Sequence, residues 1–188
     1  MKPLLDRVRR TIKQHALADP RTRVVIALSG GSDSTALTYL LRDLDALGEL
    51  RVAGLAHFNH QLRDQADRDE RFCETIAGTL GWDLYVERED VAGRARRERR
   101  SVEDAAHTAR HAFFERARQH FDADRVGVGH TRDDQAETFL LRLLRGAGPR
   151  GLGGMHPRNG PIIRPLLDCR RQALRDYLEQ RGVAFVED

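Results

Sequence analysis

Apolar positions recur along this chain in two periods. Leu4, Leu5, Val8, Ile12 and Ala16 fall near one face of a helix over residues 4–16, the stripe of an amphipathic helix packed on a sheet edge. Asp19-Pro20 breaks it. Val24 to Leu28 is an unbroken apolar run with three β-branched residues, which predicts a strand buried on both faces. A glycine turn follows, and Leu37, Leu40, Leu41 and Leu44 then mark a helix. Val52 to His57 reads as a second strand. Residues 66–80 read as a helix with Phe72, Ile76 and Leu80 on one face, stopped by Gly81. Leu84 to Val86 is a short third strand. Ser101-x-x-Asp104 predicts a capping box for a helix that turns Phe113, Phe114 and Ala117 inward and carries Glu103, His107, Arg110 and His111. Arg125 to Gly129 is a fourth strand, ending at His130. A helix from about Asp133 to Arg145 is expected to bury Ala136, Phe139, Leu140, Leu143 and Leu144, with Asp134, Glu137, Leu141 and Arg145 on another stripe. Residues 146–154 form a glycine-rich, flexible loop. Ile162 to Leu167 is a strand or extended segment, and Pro165 argues against a central strand along its full length. Leu174, Tyr177 and Leu178 mark a last helix.

Strands alternating with helices predict an α/β fold: a Rossmann-like, doubly wound, mostly parallel sheet with helices on both faces. A length of 188 residues suits one such domain. Ligands in these sheets bind beyond the carboxyl ends of the strands. Residues 29–34, His57–His60, His130–Glu137 and Arg164 should therefore gather around one crevice.

Composition narrows the setting. No apolar run has membrane-span length, and the N-terminus lacks the apolar segment of a signal peptide. The two cysteines, Cys73 and Cys169, form neither a CxxC nor a zinc set, which fits a reducing cytoplasm. The net charge of +3, carried almost wholly by Arg, is compatible with a nucleic-acid partner. Arg94, Arg96, Arg97, Arg99 and Arg100 form either a solvated helix face or a phosphate-contacting surface.

The chemistry starts at Ser29-Gly30-Gly31-Ser32-Asp33-Ser34. Glycines allow φ > 0 and close approach to a ligand, and Ser32, Asp33 and Ser34 are good N-cap types. Strand, glycine turn and helix together aim backbone N–H groups and a positive helix end at one point, an anion site. No Lys follows the glycines as a Walker A loop requires, and G-x-G-x-x-G is absent. The segment resembles the PP-loop of the N-type ATP pyrophosphatases. That resemblance implies an adenine nucleotide alpha hydrolase-like fold, a loop holding the pyrophosphate part of ATP, and cleavage between the α- and β-phosphates. Such cleavage needs Mg²⁺, held by one or two carboxylates plus phosphate oxygens. Asp33, Asp134 and Glu137 are the candidate carboxylates, with Asp33 and Asp134 the candidate metal ligands. Asp134-x-x-Glu137 could also serve simply as a capping box. His57, His60 and His130 either border the nucleotide or are satisfied surface histidines, and no zinc spacing accompanies them. His107 and His111 suit a solvated face better than a metal. Arg110 could brace a phosphoryl group or make an intrahelical ion pair; Arg145 and Arg164 are cations of the same kind.

Four segments then occur in order: Ser-Gly-Gly-Ser-Asp-Ser, Ala-His-Phe-Asn-His-Gln-Leu-Arg, the run from Gly129 to Gly148, and Ile-Ile-Arg-Pro-Leu-Leu. Together they make residues 22–188 similar to the tRNA(Ile)-lysidine synthetase family. The resemblance implies that ATP adenylates the C2 oxygen of the wobble cytidine in a CAU anticodon, releasing pyrophosphate. Free L-lysine then attacks C2 through its ε-amine and expels AMP. By position, Ser29, Gly30, Gly31, Ser32, Asp33 and Ser34 would hold the ATP phosphates, with His57 and His130 beside the nucleotide. Asp33, Asp134 and Glu137 would bind Mg²⁺ or order the reacting groups, and Arg110 would steady the activated phosphate. The family helix usually reads Glu…Arg-x-x-Arg-Tyr, whereas His107 and His111 replace its first Arg and its Tyr here. Family chains continue past the equivalent of Asp188 into further tRNA-gripping domains, so residues 1–188 are expected to be the PP-loop catalytic domain alone, with an N-terminal helix in 1–20. No membrane partner is expected, and a homodimer is left open. The alternatives are a PP-loop tRNA thiolase and a non-catalytic ATP-binding module.

Overall fold

Val24, Val25 and Ile26 are fully buried, as an apolar run covered on both faces must be. The computed structural model describes residues 2–62, 65–146, 148 and 153–187. Among them, β1 (Arg23–Ala27), β2 (Arg51–Asn59), β3 (Leu84–Arg88), β4 (Arg125–Gly127), β5 (Arg158–Asn159) and β6 (Ile162–Ile163) form one sheet in the order β3-β2-β1-β4-β6-β5. All pairings are parallel except β5 with β6. The helices are α1 (Lys2–Gln14), α2 (Ser32–Ala46), α3 (Ala66–Leu80), α4 (Val91–Glu98), α5 (Val102–His120), α6 (Arg132–Leu144) and α7 (Arg171–Gln180).

Two cores confirm the doubly wound reading. Val8 and Ile12 of α1, the four leucines of α2, Ile76 of α3, and Leu174, Tyr177 and Leu178 of α7 pack with Val24 and Ile26. Val91 and Ala95 of α4 and Phe113, Phe114 and Ala117 of α5 pack with Val25 and Val126 on the opposite face. Chain order reverses direction at β1, whose neighbours are β2 and β4, so the switch point lies between β1 and β4.

Several boundaries differ from expectation. α1 packs against α2 rather than on the sheet edge, and Ala16 lies beyond it with φ 46°. The segment from Ile162 gives only a two-residue strand, paired with β5 around Gly160. A strand so short has no period to read. The arginine run lies on and after α4, where Arg94 pairs with Glu89 and Glu98, and Arg100 with Asp104; Arg96, Arg97, Arg99 and Arg100 are exposed and Arg94 is half-buried. Ser101 accepts from the Asp104 amide, but Asp104 itself turns to Arg100, leaving the box half made. The loop expected over 146–154 falls largely outside the described residues, as does Arg63.

The largest correction concerns α6, where none of the five residues expected inside is buried. Phe139 is 43% exposed, Leu140 54% and Leu144 83%. The ties of α6 to the rest of the chain are polar: Asp133 accepts from the Arg171 amide, and Gln135 Nε2 donates to the Met155 carbonyl at 2.8 Å. Periodicity reveals that a face is apolar but not what covers it. Leu44, 1% exposed in α2, and Leu144 therefore make opposite predictions. Leu44→Ala should cost about 2–5 kcal/mol in urea unfolding, and Leu144→Gln less than about 0.5 kcal/mol. Equal losses would mean that α6 is packed after all.

Candidate functional site

The carboxyl ends of β1, β2 and β4 open into a cleft of about 580 Å³. Ser29 and Gly31 line it from the turn before α2, and Asp33 and Ser34 from the first turn of α2. His57 and His60 line it from the end of β2 and the residue just past it, Arg110 from α5, and His130 and Asp134 from the segment after β4. The predicted gathering of distant segments thus occurs. Gly30, Ser32, Glu137 and Arg164 are not on the cleft wall: Gly30 and Ser32 shape the loop, Glu137 stands exposed near the rim, and Arg164 meets the cleft only through His130.

Gly30 takes φ 93°, which favours glycine, whereas Gly31 has φ −67° and does not need its freedom. Gly31, rather than Ser32, Asp33 or Ser34, is the N-cap of α2, and no side chain caps that helix. The serines serve the loop instead. Ser34 Oγ accepts from the Ser29 amide at 3.1 Å, lies 2.9 Å from Ser29 Oγ, and donates to the Gly31 carbonyl. First-turn N–H groups without a cap, at the positive end of a 15-residue helix, are an anion site. Two contacts missed in the sequence hold this turn. A Cβ at Gly129 would lie 2.9 Å from the Ser34 nitrogen, so only glycine lets the exit of β4 pass so close. The Val186 amide donates to the Gly30 carbonyl at 2.9 Å. Neither carries a local signal, because each depends on segments that meet only in the fold.

The acidic side of the cleft is Asp33 and Asp134. The capping box of α6 is Thr131 with Asp134, not Asp134 with Glu137. Asp134 Oδ2 accepts from the Thr131 amide at 2.6 Å and from its hydroxyl at 2.8 Å, leaving Oδ1 toward Asp33. Arg171 bridges the two, donating through Nε to Asp33 at 2.9 Å and through Nη2 to Asp134 at 2.8 Å. Burial pushes the Asp33 carboxyl above its usual range, against the pull of Arg171. Two carboxylates that converge on one guanidinium can also serve a hard divalent ion whose other ligands are phosphate oxygens, once the guanidinium gives up the oxygens it holds. No group of three or more His, Cys, Asp or Glu side chains suited to a metal occurs among the described residues.

The opposite side is basic. The Arg110 guanidinium faces the cleft, and desolvation lowers its pKa. Nδ1 of His57 lies 2.9 Å from the Leu28 carbonyl, so it carries the proton, and Nε2 is a buried acceptor without a partner. Arg164 donates to Nδ1 of His130 at 3.1 Å, which makes that ring neutral with Nε2–H as donor. Burial first, then Arg164, pushes the His130 pKa down to about 4; burial, then Arg110, brings His60 to about 4 as well. His107 and His111 lie with ring centroids 4.4 Å apart on α5, their planes tilted by 41°. Cys73 and Cys169 are fully buried free thiols, raised by burial to about 12 and about 11.

These features define a nucleotide-type anion cleft at a topological switch point, and comparison with known proteins gives its class. The PP-loop domain family matches residues 4–188, and the chain belongs to it. It is similar to a tRNA(Ile)-lysidine synthase of Geobacter sulfurreducens, 44% identical over 189 residues, covering 98% of this chain and 40% of that protein. A tRNA(Ile)-lysidine synthase of Bacteroides thetaiotaomicron is 40% identical, covering 97% of this chain and 42% of that protein. The chain thus spans about two fifths of the length of these relatives. The U34-tRNA thiolase NcsA from Methanococcus maripaludis, solved with its [4Fe-4S] cluster, shares the fold with a TM-score of 0.77 at 17% identity, covering 99% of this chain and 65% of that one. No helix among the described residues is long and apolar enough to cross a membrane.

The depressed histidines set a pH dependence. As pH falls from 6.5 toward about 4, the unfolded chain takes up protons that half-buried His60 and His130 refuse, so stability falls over that window. His130→Asn keeps an acceptor for Arg164 but cannot titrate. It should regain about 1 kcal/mol of the loss at acidic pH, measured by urea unfolding across the window. An unchanged slope would mean that His130 is not held neutral.

Proposed function

We propose that this domain performs ATP-dependent lysidine formation on tRNA(Ile), adenylating the wobble cytidine of the CAU anticodon and joining free L-lysine to C2. The reading is carried by one observation: the uncapped first turn of α2 shares a cleft with two metal-competent carboxylates and with Arg110. The likeness to the two synthases supports the choice of substrate.

In this reading the ATP phosphates lie on the amides of Ser32 to Ser34, within the loop built by Ser29, Gly30 and Gly31. Asp33 and Asp134 hold Mg²⁺, which would supply charge neutralisation on the phosphate oxygens. The cytidine C2 oxygen attacks the α-phosphorus, and pyrophosphate leaves from the α2 end. Arg110 meets the charge that grows on the α-phosphate in the transition state. His57 Nε2 accepts a hydrogen bond from the nucleotide, and His130 Nε2 donates one. The lysine ε-amine then attacks C2 and AMP departs. Glu137, at the rim, orders the groups that enter from solvent. A tRNA substrate places the reaction in the cytoplasm. The thiolase alternative fares worse, because Cys73 and Cys169 are sealed in the apolar core and not presented to the cleft.

The test is incorporation of radiolabelled lysine into tRNA(Ile), beside ATP–pyrophosphate exchange. The domain should incorporate lysine only with the CAU tRNA. Arg110→Ala should lower the adenylation rate by about 10²–10³-fold while changing ATP affinity little. ATP binding without lysine incorporation would favour the non-catalytic module; an equal loss of rate and affinity would make Arg110 a ground-state binder.

A further inference from the structure

Arg171 is the central side chain of the acidic half of the cleft, and no motif announced it. As the first residue of α7 it has its backbone fixed, its amide donating to Asp133 Oδ2 at 2.8 Å. Its side chain is 35% exposed. It reaches between Asp33 Oδ2 and Asp134 Oδ1, with Nη1 3.8 Å from Glu137. Asp134 has no second oxygen to offer, because Thr131 takes Oδ2 twice. At Asp134 a guanidinium and a divalent ion therefore need the same oxygen, while Asp33 keeps Oδ1, which among the described residues accepts only from the Ser32 hydroxyl at 3.2 Å; charge-assisted bonds of this length hold the guanidinium firmly. The cleft also carries an independent sign of a missing ligand: His57, 4% exposed, has its Nε2 unpartnered.

We infer that Arg171 is the resident counter-cation of the Asp33–Asp134 pair and competes with the divalent ion for it. This rests on the reading that those two carboxylates hold the metal. In the empty cleft Arg171 screens two carboxylates that would otherwise repel each other. A bare divalent ion, with two side-chain ligands and its water to lose, displaces it poorly. An ion that arrives with a triphosphate brings further oxygen ligands and an anion that the freed guanidinium can meet. Arg171 thereby makes metal entry depend on nucleotide entry while α7 stays docked.

The experiment is Mn²⁺ binding at pH 8 without nucleotide, followed by loss of the free-ion EPR signal, with fold checked by circular dichroism. Arg171→Ala should bind Mn²⁺ about tenfold more tightly than the unaltered protein, and adding Asp134→Asn should abolish the gain. Arg171→Gln, which keeps the bulk of the side chain, should show the same direction if Arg171→Ala fails to fold. Equal or weaker Mn²⁺ binding in the variant, or a gain that survives Asp134→Asn, overturns the inference, as does the absence of Mn²⁺ binding from every protein in the set. The readout involves neither tRNA nor lysine. Failure of lysine incorporation thus counts against the proposed reaction, failure of the shift where Mn²⁺ still binds counts against Arg171 alone, and absence of Mn²⁺ binding counts against the carboxylate pair as its site.

Discussion

A helix that begins with nothing to cap it is the constraint around which the cleft is built. A Ser, Thr, Asp or Asn at the N-cap stabilises a helix by about 1 kcal/mol relative to Ala, and α2 has Gly31 there instead. Its neighbouring serines turn to each other and to the loop backbone. The helix survives because its apolar face is sealed: Leu37, Leu40, Leu41 and Leu44 are at most 1% exposed. Burial of that kind contributes about 1.5–3 kcal/mol per side chain, far more than a missing cap costs. The fold thus keeps a set of unsatisfied N–H groups at a fixed place, and Gly129 and Val186 hold the place from two other segments.

Charge is distributed around those amides in two opposed halves. On one side Arg110 lines the cleft with its pKa lowered by desolvation, and neutral His130 is held by Arg164. On the other side Asp33 and Asp134 share one guanidinium. An anion of several phosphates with a divalent ion satisfies both halves at once. A simple anion would answer only the basic half. This pairing of unmet demands connects the fold to a metal-nucleotide reaction more firmly than any one residue does.

The mostly parallel, doubly wound sheet, the placement of α2, α3 and α5, and the convergence of Ser29, His57, His130 and Asp134 were legible from apolar period, turn residues and loop position, whereas Arg110 was placed beside the phosphate only by the family resemblance. α6 was not, because its apolar period is real but nothing described packs on it. The caps were read one to three residues too late at Gly31 and three at Thr131, since several nearby residues qualify by type and only the backbone selects among them. Arg171, Gly129 and Val186 act through approaches between segments far apart in sequence. A single arginine among so many carries no signal of its own.

The account stands on the phosphate groups meeting the open amides of α2. Titration of the ¹⁵N-labelled domain with a non-hydrolysable ATP analogue and Mg²⁺ would test this residue by residue. The amide resonances of Gly31, Ser32, Asp33 and Ser34 should show the largest shifts, with smaller ones at Gly129 and His130. Shifts concentrated elsewhere, with those amides unmoved, would contradict the account.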